Sequence, residues 1–196
     1  MDYRGMVEVV KQVTGLDVPV YFSDMEANCI GSPYFGIGNH SIDIWDEVGE
    51  DLFDDPMFEL TDFIENKHLK YYHVGLPDKI MKKDDDFLYT VTEEQLRENG
   101  IAITLTRPLL ETFVILHEFG HAHELFVSYE GNVEKYLQET TEENNHTSYQ
   151  IRAYGLGGTE KGLRLHKSTA TEKYADAFAI QHFQKVIKIG IEQHLF

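Results

Sequence analysis

Apolar positions change their period along the chain. Over residues 3–14, Met6, Val9, Val10 and Val13 recur on one helical face and Gly15 follows as a natural stop, so the pattern predicts a helix. Pro19-Val20-Tyr21-Phe22 is a short strand candidate. Residues 28–35 and 40–45 read as two more strands around a Gly36-Ile37-Gly38-Asn39 turn. In the second, Ile42 and Ile44 alternate with Ser41 and Asp43, which suits a strand with one wet face.

Residues 46–100 are acidic and more irregular, and read as an insertion or lid beside the core. Asp55-Pro56 fits a helix start with Phe58, Phe63 and Ile64 as its apolar side. Thr92-Glu93-Glu94-Gln95 matches a capping box whose helix Gly100 would close. Residues 101–105 form another strand candidate, and long helices are predicted near 107–128 and 169–188. Strands early and helices late predict an α+β fold: a small N-terminal mixed or antiparallel sheet, then a metal-binding active-site helix and C-terminal helices. Without internal repeats or a low-complexity linker, 1–196 is expected to be a single domain.

Composition narrows the function classes. No apolar run approaches the roughly 20 residues of a membrane helix, and the N-terminus has no basic-then-apolar pattern of a secretion signal. Cys29 is the lone cysteine, which excludes an internal disulfide and a cysteine zinc knuckle. These features point to a cytoplasmic protein with no membrane partner. A formal net charge of −17 repels phosphate backbones, so no nucleic-acid partner is expected. The acidic clusters at 51–55, 84–86 and 139–143 lack the alternating pattern of a calcium loop.

The chemistry concentrates in one apolar helix. Thr106 can cap it, Arg107 and Pro108 fill its first turn, and His117-Glu118-Phe119-Gly120-His121 lies inside the apolar run from Leu109 to Phe126. Histidines four apart share a face and can reach one ion, while Glu118 can reach a water beside that ion. Unpaired burial of such groups would cost about 1–3 kcal/mol each. Gly120 costs about 1 kcal/mol relative to Ala in a helix interior, and a close neighbour, a strand or a substrate, would explain it.

A catalytic zinc typically has three protein ligands and one open position. Glu124, His146, His166 and Glu172 are the downstream candidates. Glu124 would reach along the helix away from the ion. Glu172 is stacked with Asp176 at i and i+4, so one carboxylate can bind metal while the other orients a histidine. Thr169-Ala170-Thr171-Glu172 is also a capping box, in which Glu172 would only bond backbone; that reading leaves Asp176 unexplained.

The pair HEFGH (117–121) and EKYADAFA (172–179) resembles the gluzincin metallopeptidases. The Ala-Asp-Ala-Phe-Ala ending is similar to the ImmA/IrrE-like zinc peptidases, small cytoplasmic and often phage-encoded proteins that cleave regulators. The resemblance implies a zincin-like domain holding Zn2+ at His117, His121 and Glu172, with Glu118 as general base and Asp176 behind the ligands. It also implies hydrolysis of a protein or peptide substrate, whose backbone the strand at 40–45 could pair. Tyr149, Tyr154, His166 and Tyr174 are candidates for stabilising the oxyanion, with Tyr154 and His166 placed among the catalytic residues.

Two rivals accompany this reading. One is an inactive zincin-like binding or regulatory protein with a structural zinc, in which Glu118 would have no task. The other is a di-iron carboxylate protein, since Glu118-x-x-His121, Glu143-x-x-His146 and Glu65-x-x-His68 share its ligand spacing.

Overall fold

The computed structural model describes residues 1–18, 20–23, 34–37, 72–77 and 86–196. Six helices dominate it: α1 (Tyr3–Thr14), α2 (Asp86–Glu98), α3 (Arg107–Ser128), α4 (Val133–Ala153), α5 (Glu160–His166) and α6 (Ala170–Glu192). The expected α+β fold with an N-terminal sheet is thereby corrected, because the body these helices build is 75% helix and 1% strand with no sheet among its elements. Outside that body, strand pairing is confined to three short backbone segments, β1 (Val20–Ser23), β2 (Tyr34–Ile37) and β3 (Tyr72–Pro77). They pair in the order β1-β3-β2, with β1 parallel and β2 antiparallel to β3.

Individual expectations fare unequally. Helix α1 ends at Gly15, whose φ of 72° is the left-handed C-cap a glycine supplies at no steric cost. Helix α3 occupies the predicted span, although Thr106 makes no side-chain capping bond. The capping box at 92–95 does not form, because Thr92 lies inside α2 and is buried. Residues 101–105 are not a strand; Leu105 N–H finds Glu93 Oε1 at 2.7 Å instead of a neighbouring strand. Gly36 and Ile37 belong to β2, not to a turn. Cys29, the strand at 40–45, residues 46–71 and the acids 51–55 and 84–85 lie outside the described residues.

Helices α3 and α6 form the central pair, and α1 packs against both. Their shared core includes Met6, Val9 and Val10 from α1, Phe113, Leu116 and Phe119 from α3, and Phe178, Phe183 and Val186 from α6. Phe113 meets Phe183 edge to face at 5.8 Å. The chain ends close beside this core, where Asp2 N–H donates to Leu195 O at 2.7 Å. Among the described residues no helix is long and apolar enough to cross a membrane.

The crossing of α3 and α6 is unusually close at Gly120. A Cβ there would stand 2.7 Å from Ala175 Cα and 2.9 Å from its carbonyl oxygen. The neighbour that explains this glycine is therefore a helix backbone, not a strand or a substrate. On α3, His117 comes three residues before Gly120 and His121 directly after it; on α6, Glu172 and Asp176 stand at the same offsets from Ala175.

Candidate metal centre

His117, His121 and Glu172 form a buried group that can hold a metal ion, each offering one ligand atom within 4.8 Å of the others. The closest approaches are shorter. His117 Nε2 stands 3.2 Å from His121 Nε2 and 3.2 Å from Glu172 Oε2, and His121 Nε2 is 3.3 Å from Glu172 Oε1. Ligands about 2.0–2.1 Å from one ion at tetrahedral angles stand about 3.3–3.4 Å apart. The two histidine nitrogens stand about one such edge apart, and Glu172 approaches each of them with a different oxygen, so the three residues can reach a single ion.

Orientation comes from behind. His117 Nδ1 lies 2.8 Å from Asp176 Oδ1, so Nδ1–H donates to that carboxylate and Nε2 faces the cluster. Burial by itself lowers the His117 pKa, but the bonds to Asp176 and then Glu172 overcome it and raise the value to about 9. Burial also opposes ionisation of Glu172, and the bonds from His117 and His121 outweigh it, holding that carboxyl well below its ordinary range. Asp176 is likewise lowered: burial pushes it up, and His117 and Lys167 more than reverse the push. The site is thus arranged to keep positive charge between two carboxylates.

Capping by its backbone N–H leaves the Glu172 side chain free of the helix start. Thr169 caps α6, its Oγ1 accepting from Glu172 N–H at 3.4 Å. The reciprocal half of the capping box is absent, since Thr169 N–H donates to His166 O at 3.2 Å. Glu172's carboxylate is left to face the histidines. Glu143, from α4, reinforces the same helix start by accepting from Ala170 N–H at 3.0 Å.

Other expected residues separate clearly. His166 reaches the cluster edge, with Nε2 at 3.4 Å from Glu172 Oε2 and its side chain 52% exposed. Glu118 is half-buried and follows His117 on α3. Tyr154 is the C-cap of α4, 73% exposed, with no side-chain hydrogen bond to the cluster. Tyr149 is also exposed. Tyr174 bonds His123 Nδ1 at 2.9 Å. His146 pairs with Gln150 in an exposed contact. With Glu143 engaged at the α6 start, the Glu143-x-x-His146 spacing does not assemble a second ligand pair. Glu65-x-x-His68 lies outside the described residues.

Gln95, Lys167 and Tyr136 had no distinctive signal as site residues, and Glu124 was a ligand candidate expected to reach away from the ion. Gln95 and Lys167 both bond Asp176, from sequence distances of 81 and 9 residues. Glu124 is buried, and its Oε2 has no hydrogen-bond partner among the described residues. Burial raises its pKa, His121 offsets part of that, and Glu172 adds to it. Tyr136 is buried on α4; burial first, then the charges of Glu124, Glu172 and Glu118, raise its phenol pKa, which places it within electrostatic reach of the cluster. No protein family, curated protein or solved structure matches the chain.

Proposed function

We propose that this chain is a zinc-dependent metallopeptidase of the cytoplasm, acting on a protein or peptide substrate. The observation that carries the reading is the three-point set of His117, His121 and Glu172, with Asp176 fixing the His117 ring. Three ligands leave one position open, as catalytic zinc sites do, whereas structural sites are closed by four. A bound zinc would polarise a carbonyl and a water at that position. Glu118 would accept the proton of the attacking water and return it to the leaving amine. His166, at the exposed edge beside Glu172, is the candidate donor to the developing oxyanion.

Metal content measured on the purified wild type and on Glu172→Ala tests the site. About one zinc per chain is expected in the wild type, with affinity reduced roughly 10-fold or more in the variant. Iron in the wild type would turn the reading toward oxygen chemistry, which two histidines and one carboxylate also support. Full zinc retention in Glu172→Ala would return that residue to capping alone. Glu118→Gln is expected to keep the metal and lose about 100-fold or more in peptide hydrolysis; retained hydrolysis would remove Glu118 from the reaction.

A further inference from the structure

Asp176 receives more than a histidine-orienting carboxylate needs. His117 Nδ1 at 2.8 Å and Lys167 Nζ at 2.6 Å share its Oδ1, while Gln95 Nε2 bonds Oδ2 at 2.6 Å. The His117 and Gln95 bonds already engage both oxygens and hold the carboxylate from two helices. Lys167 sits at the C-cap of α5 with a side chain only 11% exposed, its ammonium 5.9 Å from the centroid of the Phe113 ring. Placing a cation there costs desolvation, and its charge stands behind the Nδ1 side of the His117 ring, whose Nε2 faces the place the ion would take. An apolar or neutral side chain would fill that space without opposing the ion.

We propose that Lys167 sets the charge of the metal centre through Asp176, keeping the His117–Asp176 pair from delivering a full negative charge to the ion. This inference rests on the metal reading above. Glu172 and Asp176 alone would cancel a divalent ion; Lys167 on Asp176 leaves the centre one positive charge. Glu118 and Glu124 on α3 add acidity nearby, and His166 stands at the exposed edge. The site thereby gives up affinity for its ion and retains more of the ion's power to withdraw electrons from a bound oxygen. Lys167 acts through Asp176 and is a positioning residue, not a catalytic one.

The direction of one measurement separates this from a structural tether. Zn2+ affinity is measured on the full chain by competition with a chromophoric chelator, and the visible bands of the Co2+-loaded protein report ligand geometry. Lys167→Gln keeps a donor for Oδ1 and removes the charge, so it should bind Zn2+ about 10-fold more tightly. Its Co2+ bands should match those of the wild type. Lys167→Met, which removes the donor as well, should also bind more tightly, and Lys167→Arg should stay within about 2-fold of the wild type. Unchanged or weakened affinity in both neutral variants, or altered Co2+ bands, would overturn the proposal in favour of a tether. A wild type that takes neither Zn2+ nor Co2+ would sink the metal reading itself, and this inference with it.

Discussion

A proton and a metal ion would compete for one place at His117. The His117 ring bridges two carboxylates, Nδ1–H to Asp176 and Nε2 toward Glu172, and that bridging outweighs burial and raises its pKa to about 9. The unfolded value is 6.5. A raised pKa stabilises the folded metal-free chain fully below pH 6.5, and the contribution is lost as pH rises through about 9. Metal binding at this nitrogen would have to remove the proton. Affinity is therefore expected to climb about 10-fold per pH unit across neutral pH and to level off above pH 9. Calorimetry in two buffers of different ionisation enthalpy should register about one proton released per ion at pH 7; no release would mean His117 is already neutral. The residues of the cluster and its support were readable because spacing four apart survives any tertiary arrangement on a helix: His117 with His121, and Glu172 with Asp176. Lys167 and Gln95 were not, because their role exists only where α2, the end of α5 and α6 meet. Tyr154 shows the converse error, a residue type suited to the chemistry but placed at an exposed helix end.

At the scale of elements, the site depends on how closely two helices cross. Gly120 lets α3 approach the Ala175 backbone to a distance that excludes any Cβ. Gly120→Ala should force the helices apart and cost about 1–3 kcal/mol, the range of core overpacking. Since the histidines are on α3 and the carboxylates on α6, the same variant should weaken zinc binding. Ala175→Gly should not rescue it, because the crowding atoms are the Ala175 Cα and carbonyl. Thermal unfolding with zinc titration checks both, and a Gly120→Ala protein of wild-type stability and affinity would show that the crossing has slack. Helices with strong periodicity or clear stops were legible, as α1 and α3 show. The strand expected at 101–105 failed because a short apolar run is equally suited to a buried connector, with Ile101 and Leu105 covered and no ladder formed. Helix α4 had no apolar stripe to announce it; Tyr136, Thr140 and Thr147 are its buried residues, and Asn132 caps its start.

Across the whole molecule, the apolar core and the candidate metal cluster share α3 and α6, with α1 added to the core, but draw on different residues. Met6, Val10, Phe113, Leu116, Phe183 and Val186 pack α1, α3 and α6 together without any ligand atom among them. A protein so built should remain folded when its ion is removed, unlike a small zinc domain whose binding energy is its folding energy. The ion should still add stability by mass action, about 2.7 kcal/mol at a free concentration 100-fold above Kd. For a chain of this length that corresponds to a Tm shift of about 5–11 °C. Chelation followed by circular dichroism is therefore expected to lower Tm by that amount while leaving the helical signal in place. Zinc should restore the original Tm, and Glu172→Ala should show little shift in either direction. Loss of helix on chelation would instead make the ion a structural element, favouring a binding protein with a structural zinc over a peptidase. A cooperative, reversible shift confined to the wild type would place the ion where a catalytic metal belongs, on a framework that stands without it.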